Sequence, residues 1–208
     1  MIFLSAFLLC ILLNLTPLKI SLLYGNKKIY FSKSIILLFS IITSIGIFIF
    51  MYAGRIIVKL FYPEIGNIFG AVALSFIGVY YVNEYMRLEN ENAGYDMSYY
   101  FDSSLKYKKL MESHSCFMDF NKTNNISLND CLKVSIGFIM NNLLIYISAG
   151  ITGININLSV FFNFIFSLLF LYLGYFKFNA NIQKFFNRFL NLIVGILLII
   201  LGLYETFL

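Results

Sequence analysis

Two polar interruptions inside long apolar runs contain the residues of this chain that could do chemistry. The first is Asn14, Thr16 and Pro17, where proline cannot donate a backbone hydrogen bond and frees a carbonyl beside two polar side chains. The second is Asn141-Asn142, near the middle of a later run. Such oxygens can bind a cation or a small polar solute, and they can equally hydrogen-bond between helices. Both interpretations stay open, and the identity of any bound metal is unknown from the sequence.

Other chemical groups are sparse or lie outside the apolar runs. The acidic residues nearest to these runs all lie close to their ends and are Glu64, Glu84, Asp130 and Glu205. The single histidine, His114, lies in a polar stretch, and the three cysteines have no metal-ligand or redox spacing. No hydrolase, protease, P-loop or dinucleotide-binding motif is present. We therefore predict neither an enzymatic activity nor a cofactor.

The composition indicates a protein dissolved in lipid. Of 208 residues, 60% are hydrophobic and 12% are charged, and the mean hydropathy is +0.83, whereas globular domains are about 45–50% apolar and about 25% charged. The net charge of +5 suits contact with an anionic membrane surface. Because the cations are scattered over loops, no nucleic-acid partner is expected.

Six apolar segments have the length and composition of membrane-spanning helices, about 20 residues each. They cover residues 2–24, 34–54, 65–86, 131–152, 157–176 and 187–207. A polar stretch at 87–129 separates a first unit, 1–86, from a second, 130–208, and is expected to be a cytoplasmic loop. The sequence therefore predicts an all-α integral membrane protein with six transmembrane helices. In the fifth segment, Asn163 and Ser167 lie one turn apart and are expected to hydrogen-bond between helices.

The two units resemble each other in sequence. NIFGAVALSFIGVYY at 67–81 aligns without gaps with NLIVGILLIILGLYE at 191–205, FMYAG at 50–54 matches FLYLG at 170–174, and Thr16-Pro17 falls opposite Asn141-Asn142. Since three helices are an odd number, the second unit must enter the membrane from the opposite side. This predicts two inverted three-helix repeats, which in many secondary transporters meet at a midplane site.

Lysine and arginine predict the orientation. Most of them lie in the connections after the first, third and fifth segments, and the opposite face has only Arg55 and Lys59. By the positive-inside rule, we expect a multi-pass protein of the cell membrane with both termini extracytoplasmic. The first segment has neither a basic start nor a cleavage signal, and it is interpreted as a retained helix.

The chain resembles the YtaF sporulation membrane proteins, relatives of the MntP manganese efflux pumps. The features that carry the resemblance are Tyr24-Gly25 followed by KKI, the glycine-rich third segment, ISLNDCLKVSIG at 126–137 and the closing GLYE at 202–205. The resemblance implies two inverted three-helix repeats and export of a divalent cation such as manganese. In that family two buried aspartates are thought to bind the ion, and here those positions hold Thr16 and Asn141.

Two functions follow from this resemblance. The first is a secondary transporter of a divalent cation or of another small solute, with Asn14, Thr16, Pro17, Asn141 and Asn142 as the transport-site residues. The alternative is a family member that no longer transports and that has a structural or partner-binding role in sporulation, with its protein partners unidentified. The lipid bilayer is a partner under either function.

Overall fold

The computed structural model describes residues 2–26, 32–60, 63–92, 128–173 and 180–206. These residues form seven helices and no strand. The helices are α1 (Ile2–Asn26), α2 (Lys33–Leu60), α3 (Pro63–Asn92), α4 (Leu128–Asn141), α5 (Leu143–Ile151), α6 (Ile156–Leu173) and α7 (Ala180–Thr206). The predicted all-helical class is confirmed for this part of the chain, and most of the predicted loop at 87–129 lies outside it.

Several of these helices are long and apolar enough to cross a bilayer. The spans are Lys33–Lys59, Ile65–Arg87, Ile156–Leu173 and Phe189–Thr206, with a fifth if α4 and α5 together make one crossing. The apolar part of α1, Phe3–Lys19, is shorter than these. Large side chains such as Phe69 and Phe76 point outward, 67% and 70% exposed, as expected where lipid surrounds a protein. The described residues therefore include at least four helices that could span a membrane.

The segment predicted as a single helix at 131–152 is divided in the structure. Helices α4 and α5 meet at Asn142 with a bend of 50°. The Asn142 backbone lies at φ −100° and ψ 5°, outside the helical region. Its side-chain amide and its backbone N–H both donate to the carbonyl of Phe138, at 3.0 and 3.2 Å. This local bonding explains a bend without proline, whereas α1 runs without a break through Pro17.

Each helix packs against at least two others. Helix α6 contacts α1 and α2, helix α7 contacts α3 and α1, and the α4–α5 pair contacts α2 and α3. The centre of the bundle is apolar and fully buried, with Leu9, Leu13, Ile47, Met51, Leu74, Tyr146 and Leu198. The polar groups described below are therefore enclosed by aliphatic side chains rather than by water.

Glycines allow two pairs of helices to approach closely. At the crossing of α3 and α7, a Cβ on Gly78 would lie 2.7 Å from the carbonyl oxygen of Gly195, and a Cβ on Gly202 would lie 2.6 Å from that of Ala71. Where α2 meets α5, a Cβ on Gly150 would collide with the backbone of Met51. A side chain at these positions would push the helix backbones apart.

Candidate functional site

A buried group of four polar side chains joins α1, α2 and α6. Asn14 donates through Nδ2 to Oδ1 of Asn163 at 2.8 Å. Asn163 in turn donates through its own Nδ2 to the hydroxyls of Thr43, at 3.3 Å, and Ser44, at 3.2 Å. All four residues are buried, and Asn163 has no exposed surface. We call Asn14, Thr43, Ser44 and Asn163 the central polar cluster.

The inward face of α6 continues this cluster in both directions. Ser159, Asn163 and Ser167 recur every fourth residue, so they lie on one side of the helix, and all three are fully buried. The Cys10 thiol donates to the carbonyl of Ser159 at 3.1 Å, and the hydroxyls of Ser40 and Ser167 are bonded at 3.1 Å. The expectation that Asn163 and Ser167 hydrogen-bond between helices is confirmed.

These bonds define the relative direction of the helices. Three of them join α1 to α6, and they follow the same order along both helices. The first is Cys10–Ser159, the second is Asn14–Asn163, and the third runs from the Ser21 hydroxyl to the Leu171 carbonyl at 3.0 Å. Helices α1 and α6 therefore run parallel. Helices α2 and α6 are antiparallel, because Thr43 pairs with Asn163 whereas the earlier Ser40 pairs with the later Ser167.

The cluster consists of neutral groups. The Thr43 hydroxyl donates within its own helix to the carbonyl of Phe39 at 3.0 Å, and Asn14 Nδ2 also donates to the carbonyl of Cys10 at 2.9 Å. Among the described residues no group of three or more histidine, cysteine or acidic side chains could hold a metal ion. The cluster can therefore offer amide, hydroxyl and carbonyl oxygens to a ligand, and no carboxylate.

The five residues predicted for the transport site have different environments. Asn14 belongs to the central polar cluster, Pro17 is buried in α1, and Thr16 is half-buried beside it. Asn142 is buried at the α4–α5 bend, whereas Asn141 is exposed on the outer surface. In the part of the chain that is described, no hydrogen bond joins the α1 residues to Asn141 or Asn142. The structure thus brings Asn14 to Asn163, Thr43 and Ser44.

Sequence reasoning did not single out Thr43 and Ser44. The signal was available, because Ser40, Thr43 and Ser44 follow the i, i+3, i+4 spacing that places residues on one face of a helix. Serine and threonine are common in membrane helices, so this spacing alone does not indicate a site. It does so only when α6 is known to pack against this face of α2.

A second buried polar group lies one turn beyond the α4–α5 bend. The Tyr146 side chain is fully buried, and its hydroxyl makes no hydrogen bond of ordinary geometry to the described residues, although the Asn142 side chain lies close to it. Its polar neighbours are Asn142, Cys10 and Tyr81. Cys10 is thus a neighbour of this hydroxyl, and its carbonyl accepts a hydrogen bond from Asn14 of the central polar cluster.

Comparisons with known proteins add no neighbour to this description. No protein-family model, no curated protein and no solved structure matches the chain. The function proposed below therefore depends on the geometry of this chain and on the motifs of its sequence.

Proposed function

We propose that the chain is a small secondary transporter with six transmembrane helices in two inverted repeats, and that its solute binds at the central polar cluster. The observation that carries the proposal is the cluster itself. Four polar side chains from three helices are buried at mid-length of α6, surrounded by aliphatic residues. Polar groups at that depth are costly and commonly mark the pathway of a transported solute.

The helix contacts support the inverted repeat. In such a repeat α1 corresponds to α4–α5, α2 to α6, and α3 to α7. The contact of α1 with α6 then has its counterpart in α4–α5 with α2, and the contact of α1 with α7 has its counterpart in α5 with α3. The remaining large contacts are α2 with α6 and α3 with α7. Each of them joins two corresponding helices, so the repeat maps each contact onto itself.

The crossing of α3 and α7 supports the same symmetry at the level of single residues. The alignment that pairs Gly78 with Gly202 also pairs Ala71 with Gly195. Gly78 meets the backbone of Gly195, and Gly202 meets the backbone of Ala71. Any gapless alignment of two antiparallel helices exchanges such contacts, so the support lies in the residue types: all four aligned positions hold glycine or alanine, which allow close approach.

The chemistry of the cluster favours a solute with little charge. Replacing the water around a divalent cation needs strong oxygen ligands, and carboxylates are the usual ones. With neutral oxygens alone, the desolvation of manganese would be poorly compensated. We therefore favour a monovalent cation or a small uncharged polar solute over the manganese that the family resemblance implies.

Transport by purified protein in liposomes tests this proposal. We expect uptake of radiolabelled rubidium or glycerol above that of protein-free liposomes, and little uptake of manganese. Asn163→Leu keeps the branched shape of the side chain but removes three hydrogen bonds of the cluster, and it should lower the initial rate at least about tenfold. Asn191→Leu, which changes an asparagine of α7 outside the cluster, is the matched control and should keep the rate.

The results separate the proposal from its alternatives. Uptake of manganese that depends on Asn163 would support the transporter function, but it would contradict the proposal that the solute carries little charge. Absence of uptake for all three solutes would contradict transport.

The hydrogen bonding within the cluster favours a second candidate, a non-transporting membrane protein. Asn163 uses its oxygen and both amide protons on protein partners, as a purely structural group would. Under this function Asn163→Leu lowers the thermal stability in detergent and no solute moves. The role in sporulation that the resemblance implies would then depend on protein contacts of the chain.

A further inference from the structure

A cavity of about 230 Å³ lies beside Arg55, near the end of α2. Its lining combines one cation, two amide side chains and an apolar wall, and consists of Phe48, Tyr52, Arg55, Asn155, Ile156 and Asn157. None of these residues belongs to the central polar cluster, so this cavity is separate from the proposed transport site.

The cavity lies near the end of α2, where the length of the helix places the membrane surface. Arg55 contacts the carbonyls of Gly153 and Ile154, in the short connection between α5 and α6. Along α2, Arg55 is about 33 Å from Lys33 at 1.5 Å per residue, which slightly exceeds the roughly 30 Å of a hydrocarbon core. The two basic residues therefore mark opposite surfaces of the bilayer.

The Arg55 guanidinium has no anionic partner in the described part of the chain. The ion pair found there joins Arg87 to Glu84. Arg55 makes two long bonds of 3.4 Å, both from one terminal nitrogen. Its other N–H groups make no hydrogen bond to the described residues, and a planar guanidinium binds a phosphate through two parallel bonds.

The apolar wall continues from the cavity toward the bilayer. Phe48 and Tyr52 stack on each other with ring centroids 6.1 Å apart and planes 9° apart. Both are about half exposed, and they precede Arg55 along α2 by one and two turns. A ligand that occupies the cavity therefore meets a cation at one end and an aromatic surface on the side of the hydrocarbon.

From this arrangement we infer that the cavity binds the phosphate of an anionic phospholipid. The guanidinium of Arg55 holds the phosphate, the amides of Asn155 and Asn157 bond the headgroup, and the first methylenes of an acyl chain lie against Phe48 and Tyr52. The aromatic wall favours a lipid over free phosphate, because inorganic phosphate gains nothing from apolar contact.

Native mass spectrometry of the purified, delipidated protein tests this site. With added phosphatidylglycerol, the natural protein should retain a tightly bound lipid, and Arg55→Gln should weaken this binding about tenfold. Lys59→Gln makes the same change of charge at an exposed residue one turn away, outside the cavity, and should retain the lipid. Arg55→Lys keeps the charge without the planar fork, and its affinity should fall between those of the natural protein and Arg55→Gln.

Equal losses in the Arg55 and Lys59 variants would overturn the proposal, because they would indicate diffuse attraction to the lipid surface. Full binding by Arg55→Lys would do the same, since charge alone would then suffice. If inorganic phosphate displaced phosphatidylglycerol at equal concentration, the lipid would be the wrong ligand. Arg55→Lys also keeps the test valid if Arg55→Gln fails to fold.

Discussion

At the scale of single residues, the Tyr146 hydroxyl is the clearest test of how polar groups are tolerated in this core. A buried hydroxyl without a partner costs about 1–3 kcal/mol, and Tyr146 makes no hydrogen bond of ordinary geometry to the described residues. We therefore expect Tyr146→Phe, which keeps the ring, to raise the free energy of unfolding by about 1 kcal/mol. Thermal melting of the purified protein in detergent measures the effect.

The matched control is Tyr80→Phe, which removes a hydroxyl from a ring that is 65% exposed. Its melting temperature should stay close to that of the natural protein. A lower stability of Tyr146→Phe would contradict the expectation, and it would mean that the hydroxyl is bonded to the nearby Asn142 side chain, to a water molecule or to a ligand in the core.

The residues of the candidate site were predictable to different degrees. Asn14 was found because asparagine is unusual inside an apolar run and is costly there unless it is bonded. Its partner Asn163 was recognised as a hydrogen-bonding residue, but a sequence cannot indicate which helix it faces. Asn141 and Asn142 are neighbours in sequence with opposite exposure, because Asn141 ends α4 on its outer face whereas Asn142 lies buried at the bend between the helices.

At the scale of helices, glycine contacts should decide whether α2 and α5 can pack. A Cβ on Gly150 would collide with the carbonyl of Met51. This carbonyl belongs to the backbone of α2, so it cannot move aside as a flexible side chain could. We expect Gly150→Ala to lower the free energy of unfolding by about 1–3 kcal/mol. Gly137→Ala is the control, because nothing lies within 4 Å of its added Cβ.

We expect the control variant, Gly137→Ala, to stabilise the protein rather than to destabilise it. Alanine in a helix is favoured over glycine by about 0.5–1 kcal/mol, so Gly137→Ala should raise the melting temperature. The same shift for both variants, of either sign, would contradict the tight packing of α2 on α5.

The helices themselves were largely predictable because backbone groups in lipid must bond within their own segment. The predicted segment 65–86 lies within the observed α3, Pro63–Asn92, which continues beyond the apolar part. The division of the fourth segment was signalled only by its asparagine pair. The bend depends on the hydrogen bond from the Asn142 side chain to the Phe138 carbonyl. Whether an asparagine side chain bonds to its own helix in this way depends on local geometry, which the composition does not determine.

At the scale of the whole molecule, the number of crossings depends on α1. Its apolar part is the shortest of the candidate segments. Yet α1 lies parallel to α6 through bonds that extend from Ser159 to Leu171, most of the length of α6. A helix lying flat on the membrane surface could not follow a spanning helix over that length. This packing favours α1 as a sixth crossing, as the apolar pattern predicts.

Reporters fused to the two ends of the chain test this topology. With six crossings, both ends lie on the same side, and the positive-inside rule makes that side extracytoplasmic. We expect periplasmic-type reporters to be active at both ends and a fluorescent cytoplasmic reporter to be active within the loop at 87–129. If α1 does not cross, the N-terminal reporter moves to the cytoplasm and the C-terminal one stays outside. That result would contradict the inverted repeat. A unit with two membrane-spanning helices and a unit with three cannot be related by the alignment that pairs Gly78 with Gly202.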